Sequence, residues 1–159
     1  MSSQYTLELV VTDEGAPFYP PLGTIEKRNN DNAGYDLKVV TIVGPCLQAT
    51  LSPLGVKARL INSSSGEDVH FSLEPRSSIY KSGYIMANSR GVIDRTYRGQ
   101  LMAPLISTGS SGWSPPIEAG TRLFQIIAPD MGWISEIRYV RELPETSRGE
   151  GGFGSTGTV

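Results

Sequence analysis

The sequence predicts an all-β protein of the barrel or jelly-roll type. Gly occurs 18 times and Pro 11 times among 159 residues, and the short segments between them are rich in Val, Ile, Thr and Tyr, which favours strands separated by turns. No window sustains the 3.6-residue period of an amphipathic helix with capping residues at both ends. Many short strands of this kind are typical of antiparallel barrels and jelly rolls.

Eight candidate strands follow one another along the chain, each about 5–6 residues long or somewhat longer. The polar, Gly- and Pro-rich stretch 106–116 predicts an exposed loop. A chain of 17.2 kDa without internal repeats or linkers predicts one domain, residues 1–146, followed by a terminal arm, residues 147–159. The candidate strands are 5–11, 34–43, 55–61, 69–74, 83–87, 100–107, 122–128 and 134–141.

The terminal arm contains too few apolar side chains to form a core, so we expect it to be flexible unless something orders it. Its glycines let backbone N–H groups approach an anion, and the Arg148 guanidinium and the Ser155 and Thr156 hydroxyls suit phosphate oxygens. Phe153 is the single large apolar side chain there, which favours stacking on a nucleotide base. A disordered low-complexity tail would explain the same composition.

Composition excludes several classes of function. A net charge of −2 provides no overall basic field for holding a nucleic-acid backbone. Cys46 is the only cysteine, which rules out an intramolecular disulfide and fits a reducing compartment. His70 is the only histidine, in an alternating stretch that we interpret as an ordinary strand rather than part of a Ser-His-Asp triad. No leader or apolar run of about 18 residues is apparent, so we expect an intracellular, cytoplasmic protein.

The segment 88–99 contains the strongest candidate for a catalytic acid. Two apolar residues lead into Asp94, and a turn-like stretch then leads to Tyr97, which predicts a tight β-hairpin holding the acid rigidly. An isolated aspartate in such a place more commonly caps its turn or pairs with a neighbouring cation, here Arg95 or Arg98.

Three shorter segments carry weaker signals. In 75–78, Arg76 and two serines follow a candidate strand and could bind phosphate oxygens, although such a turn is usually only a turn. Asp36 opens another strand. Gln125 lies in an otherwise apolar run, where a buried amide needs partners whether it serves the core or a site.

In order, five segments resemble the five motifs of the trimeric dUTPase family: 33–37, 75–78, 88–99, 120–125 and 148–157. The third and the fifth carry the long strings Gly-Val-Ile-Asp-x-x-Tyr-Arg-Gly and Arg-Gly-x-Gly-Gly-Phe-Gly-Ser-Thr-Gly, which make the resemblance specific. The resemblance implies a jelly-roll-like, distorted β-barrel that forms a homotrimer. Each active site would combine motifs of different subunits, and the glycine-rich arm would close over the bound nucleotide.

The reaction implied by this resemblance is hydrolysis of dUTP to dUMP and pyrophosphate. Water would attack the α-phosphorus, with Mg²⁺ bridging the triphosphate oxygens and Asp94 as general base, since an aspartate is ionised at neutral pH and can accept the proton. Such a reaction limits uracil incorporation into DNA and supplies dUMP for thymidylate synthesis. No nucleic-acid or membrane partner is implied.

The resemblance also assigns residues to the two ends of the substrate. Tyr97 would exclude a ribose 2′-hydroxyl, and the backbone at 91–93 would pair with uracil and leave little room for a 5-methyl group, because overpacking a rigid site is costly. Asp36 would support the water shell of the metal without ligating the ion, and Gln125 would order nearby water. The residues at the nucleoside are Asn88, Gly91, Val92, Ile93, Tyr97, Met102 and Phe153, and those at the phosphates are Arg76, Ser77, Ser78, Arg148, Gly154, Ser155 and Thr156.

Four residues depart from the motifs as the family usually has them: Ser78, Tyr80, Thr121 and Phe124. None removes a group that the reaction requires. The nearest alternative is a dCTP deaminase, which needs a glutamate where this chain has the stretch 100–102, Gln-Leu-Met. A nucleotide-sensing or protein-binding module without turnover is a further alternative, against which the retention of Asp94, Tyr97 and Phe153 argues.

Overall fold

The computed structural model describes residues 3–152. This part of the chain contains eleven strands, three short 3-10 segments and no α-helix, which confirms the predicted all-β class. Among the same residues, no helix has the length and apolar character needed to cross a bilayer. The strands are β1 (Gln4–Val11), β2 (Ile25–Lys27), β3 (Tyr35–Lys38), β4 (Thr50–Asn62), β5 (Asp68–Val69), β6 (Phe71–Pro75), β7 (Tyr84–Met86), β8 (Gly91–Ile93), β9 (Gln100–Ser107), β10 (Arg122–Ile127) and β11 (Trp133–Tyr139).

The strands form two sheets. The larger has seven strands in the order β2-β11-β1-β4-β9-β7, with β5 paired to β4, and the smaller has the order β3-β10-β6-β8. In the described part of the chain, β1 pairs with β11 in parallel and the other named pairs are antiparallel. The 3-10 segments are Ala16–Phe18, Ser77–Lys81 and Ser110–Gly112.

Both sheets contribute to one hydrophobic core. Side chains alternate across a strand, and β9 follows this rule by burying Leu101, Ala103 and Leu105 between partly exposed neighbours. Each fully buried leucine contributes about 1.5–3 kcal/mol through removal of apolar surface from water. The alternation of side chains along β9 therefore sets which of its faces is buried.

Several strand bounds differ from the prediction. β3 ends at Lys38 and not at residue 43, whereas β4 begins at Thr50, before the predicted start at residue 55. Pro53 and Gly55 are typical of a turn, but β4 continues through them because its pairing with β9 shifts register between Pro53 and Lys57. Gly55, with φ of +74°, provides the positive φ that such an irregularity requires.

Candidate active site

Asp94 lies at a corner between the two sheets. β8, which precedes it, pairs with β6 of the smaller sheet, while β9, which follows, pairs with β4 and β7 of the larger sheet. The predicted tight hairpin is therefore wrong, although the turn itself exists, since the Tyr97 N–H donates to the Asp94 carbonyl at 3.0 Å. Strand and turn signals are local, whereas the partner of each strand is decided by long-range pairing.

Tyr97 is fixed at the end of this turn. Its hydroxyl donates to the Gln100 carbonyl at 2.9 Å. Burial raises the pKa of Tyr97, an effect that the positive charge of Arg148 partly offsets and the negative charge of Glu150 reinforces. The phenol is therefore neutral around pH 7 and acts as a donor.

Arg98 is buried at the corner that carries Asp94 and hydrogen-bonds to the segments around it. Its Nε donates to the Pro144 carbonyl at 2.8 Å and its Nη1 to the Arg95 carbonyl at 2.9 Å, while Nη2 contacts the Asp68 carboxylate at 2.7 Å. Asp68 in turn receives Nη1 of Arg59 at 3.1 Å. One guanidinium thus joins the turn after Asp94 to β5 and to the segment that leads into the terminal arm.

A cavity of about 240 Å³ opens beside Asp94, and we refer to it as the Asp94 cavity. The Asp94 side chain is 47% exposed, so its carboxylate is reachable from solvent. The structure brings together eight of the predicted site residues here: Asn88, Gly91, Val92, Ile93, Asp94, Tyr97, Met102 and Arg148. Sequence reasoning missed the lining residues Leu73, Gln100, Leu101 and Gly152.

Of these missed residues, those on β9 had a usable signal. Gln100 and Leu101 directly precede Met102, which was predicted, so their nearness to Met102 in sequence could have indicated them. Leu73 gave no signal, because only the pairing of Leu73 with Gly91 brings it there.

Arg148 forms an ion pair with Asp94, the candidate catalytic acid. Its Nη1 contacts Oδ2 of Asp94, and its guanidinium carbon lies 5.4 Å from the centroid of the Tyr97 ring. The neighbouring Gly149 carbonyl accepts the Arg98 N–H at 2.6 Å. The start of the terminal arm therefore contacts the turn of its own chain. Four further predicted residues, Phe153, Gly154, Ser155 and Thr156, lie outside the described residues.

His70 also lies beside Asp94, which sequence alternation did not indicate. Its side chain is 61% exposed rather than packed, and its Nδ1 stands 3.9 Å from Oδ1 of Asp94. The same nitrogen accepts the backbone N–H of Arg95 at 3.0 Å. The approach of residues 24 positions apart in sequence follows from the pairing of β6 with β8.

The predicted phosphate-binding residues lie in a second depression of about 610 Å³, the Arg76 cleft. Asp36 holds Arg76 there, with 3.1 Å between Oδ1 and Nε, and its other oxygen stands 3.8 Å from Nη1 of Arg122. Gln125 donates weakly to the Pro75 carbonyl at 3.3 Å. The predicted residues that line the cleft are Asp36, Arg76, Ser77 and Gln125.

The Arg76 cleft is electropositive. Arg28, Lys38 and Arg122 line it together with Arg76, against two acids, Glu26 and Asp36. Sequence reasoning missed these three cations: Arg28 and Lys38 lie outside the five motif segments, and Arg122 lies within the segment 120–125 but was not assigned to the site. Ser78 is exposed and does not line the cleft. An excess of cations in a concave site favours a polyanion such as a phosphate chain.

Among residues 3–152 of one chain, the Asp94 cavity and the Arg76 cleft share no lining residue. The predicted site is therefore divided into a part that contains the acid and a part that contains most of the cations. A single copy does not bring Arg76 to Asp94.

The side chains suit a metal that is bound mainly by its substrate. Residues 3–152 contain no group of three or more His, Cys, Asp or Glu that could hold an ion, and Asp36 is already engaged by two arginines. Mg²⁺ commonly keeps several waters and takes few protein ligands beside substrate phosphates. Asp36 and Gln125, which line the Arg76 cleft, would offer oxygen atoms to the waters of such an ion.

The structure shows where three of the four residues that depart from the usual motifs lie. Phe124 is fully buried in the core and Tyr80 is 75% exposed, while the Thr121 hydroxyl donates to the Glu118 carbonyl at 2.7 Å. None of the three lines the Asp94 cavity or the Arg76 cleft.

Fold and site together define a jelly-roll-like β protein with an accessible acid in one cavity and clustered cations in another. The dUTPase family profile matches residues 22–157. A deoxyuridine 5'-triphosphate nucleotidohydrolase of Clostridium kluyveri is 33% identical over 145 residues, covering 90% of each chain. The enzyme of the same name from Paramecium bursaria Chlorella virus 1 is 37% identical over 128 residues, covering 79% of this chain and 83% of the relative. The chain therefore belongs to the dUTPase family.

Solved structures agree on the fold. The dUTPase from Streptococcus mutans aligns with a TM-score of 0.55 at 23% identity, covering 84% of this chain and 96% of that one. The EIAV dUTPase aligns with a TM-score of 0.53 at 18% identity, covering 87% and 93%. At these identities the likeness supports the jelly-roll-like fold alone.

Proposed function

We propose that this chain hydrolyses dUTP to dUMP and pyrophosphate, with Asp94 as the general base for a water that attacks the α-phosphorus. The observation that carries this proposal is the half-exposed carboxylate in a cavity lined by Asn88, Tyr97 and Met102. A general base must be ionised and within reach of the proton that it takes. Family membership supplies the substrate, and the cavity supplies the place for the base.

The edge of β8 suits the uracil ring. In the described sheet, β8 is the last strand and pairs on one side only, with β6. An edge strand presents backbone N–H and C=O groups on its other side. Such alternating donors and acceptors match the uracil edge, which offers O2, the N3–H and O4. We assign this pairing to Gly91, Val92 and Ile93, with Tyr97 beside the sugar.

The Arg76 cleft suits the triphosphate. We propose that Arg76 and Ser77, which line the cleft, hold the phosphate chain together with Ser78, which is exposed beside it. Asp36 orients Arg76 through their 3.1 Å ion pair. Mg²⁺, when bound, offsets the triphosphate charge and fixes its geometry. We assign to Asp36 and Gln125, which both line the cleft, the ordering of water near the phosphates.

A homotrimer with shared sites would unite the two parts of the site. Met102, Pro104 and Ile106 alternate with the buried residues of β9, and adjacent Leu51 and Ile85 are 45% and 50% exposed. A contiguous apolar sheet face of this kind marks an interaction surface. Because Met102 also lines the Asp94 cavity, a second copy seated on this face would bring its own residues next to that cavity.

The terminal arm would complete the site. We assign residues 1–146 to the barrel and residues 147–159 to an arm that closes over bound nucleotide, with Phe153 on uracil and Gly154, Ser155 and Thr156 at the γ-phosphate. Arg148 is a single cation for which Asp94 and a phosphate group compete. On nucleotide binding it would move to the more highly charged phosphates, which would leave Asp94 able to accept a proton.

In the cell, this reaction would limit uracil incorporation into DNA and supply dUMP for thymidylate synthesis, and we place it in the cytoplasm. The alternative of dCTP deamination finds less support. Such an enzyme needs a glutamate beside the pyrimidine amine, and none lines the Asp94 cavity in the described part of the chain.

The test is a substrate panel with Mg²⁺ in which products are identified by anion-exchange chromatography. We expect dUTP to yield dUMP and pyrophosphate, and Asp94→Asn to slow turnover by at least about 10²-fold, the lower end of general acid–base contributions. Asp13→Asn, the same change at an exposed aspartate that lines neither part of the site, is the matched control. Near-normal turnover by Asp94→Asn would refute the role of Asp94 as general base. If folded wild-type protein gave no dUMP and pyrophosphate, the whole proposal would be wrong.

A further inference from the structure

The ladder between β6 and β8 does not stop at its last backbone pair. That pair is Phe71 with Ile93, and the next residues beyond the two strands are His70 and Asp94 of the same chain. Here the backbone N–H of Arg95 donates to Nδ1 of His70 at 3.0 Å. The His70 side chain thus extends the hydrogen bonding between the two segments to the residue that follows Asp94, the proposed general base.

This hydrogen bond holds one end of a peptide group whose other end is also held. The Arg95 N–H and the Asp94 carbonyl belong to the same planar peptide unit. The carbonyl accepts the Tyr97 N–H at 3.0 Å, and the N–H is bound by His70. With both polar atoms hydrogen-bonded, rotation of this peptide plane is restrained, and with it the backbone torsion ψ of Asp94, the residue that carries the carboxylate.

The same contact defines the state of the imidazole. A ring nitrogen that accepts a hydrogen bond carries no proton, so the proton of neutral His70 lies on Nε2. The 3.9 Å between Nδ1 and Oδ1 of Asp94 is too long for a hydrogen bond. His70 therefore acts on Asp94 through the Arg95 peptide and not through a direct bond to the carboxylate.

We propose that His70 is a positioning residue for the general base, holding the Asp94–Arg95 peptide in the orientation that points the Asp94 carboxylate into its cavity. The proposal rests on the assignment of Asp94 as the base. Because the His70 side chain is 61% exposed, water can replace the lost hydrogen bond and folding should change little. Water does not fix direction, however, and a misplacement of about 1 Å at a reacting group can cost as much as 10²-fold in rate.

Two substitutions distinguish the effect of losing the hydrogen-bond acceptor of His70 from the effect of changing the size of its side chain. His70→Asn places an amide oxygen close to the position of Nδ1 and keeps the acceptor, whereas His70→Leu fills similar space without one. We expect His70→Leu to lower kcat for dUTP about tenfold, with KM within about twofold and the melting temperature within about 2 °C of wild type. His70→Asn should recover most of the lost kcat.

The proposal fails if His70→Leu retains kcat within about twofold of wild type, or if His70→Asn is as impaired as His70→Leu. It also fails if kcat and the melting temperature fall together in both variants, because that pattern marks a structural role. Asp94→Asn belongs in the same panel. Normal turnover by that variant overturns the base assignment itself, whereas a loss confined to Asp94→Asn overturns only the role of His70.

Discussion

Replacing Arg98 by lysine isolates the contribution of its guanidinium to the corner that carries Asp94. The side chain is buried and donates to the carbonyls of Pro144, Arg95 and Tyr97 at 2.8, 2.9 and 3.2 Å and to the Asp68 carboxylate at 2.7 Å. A lysine ammonium keeps the charge near Asp68 but lacks the planar fork that reaches the carbonyls.

The expected cost follows from those carbonyl bonds. Each net hydrogen bond contributes about 0.5–1.5 kcal/mol, and a buried acceptor left without a donor costs more. Losing two or three of them predicts destabilisation by about 2–3 kcal/mol, or a decrease of roughly 5–10 °C in melting temperature for a chain of this size. Turnover should also fall, because Pro144 leads into the arm that carries Arg148.

The assay is urea unfolding followed by the fluorescence of the two tryptophans, at a fixed protomer concentration because association shifts apparent stability. Arg95→Lys is the matched control, since Arg95 is exposed on the same turn and should change stability by no more than about 0.5 kcal/mol. If Arg98→Lys unfolds at the same urea concentration as Arg95→Lys, the buried guanidinium does not hold the corner.

Two further changes test other parts of the molecule. A hydrogen bond from Lys27, reinforced by Arg138, holds the pKa of Glu136 below its usual range despite burial. A lowered folded-state pKa gives stability that is present above the unfolded value and lost as pH falls through the folded one. Glu136→Gln should therefore destabilise the protein by about 1 kcal/mol at pH 7 and progressively less below about pH 4.3. If urea unfolding gives the same free-energy difference between this variant and wild type at pH 7 and below about pH 4.3, the reasoning is contradicted. Deleting residues 148–159 should leave the oligomer assembled in sedimentation velocity but nearly abolish dUTP turnover, and dissociation on truncation would count against the arm being separate from the barrel.

Much of this protein could be predicted from short stretches of its sequence. The density of Gly and Pro, the composition of the short segments between them and the lack of a sustained 3.6-residue period indicated the all-β class. The predicted strand 100–107 coincides with β9. Residues 88–102 contribute nine of the twelve described lining residues of the Asp94 cavity from one continuous stretch, and seven of those nine were named in advance. Turn chemistry and strand alternation are local properties, so a sequence pattern is enough to reveal them.

Strand pairing and long-range contacts between side chains could be read only from the tertiary structure. The turn at Asp94 looked like a hairpin, but β8 and β9 take partners in different sheets. The same pairing placed His70 beside Asp94, and Asp36 reached Arg76 across 40 positions of sequence. These contacts depend on which strands bury their apolar faces together, a choice made by the whole core at once. Local sequence therefore determined the acid and its turn, whereas long-range packing decided which side chains hold that acid in place.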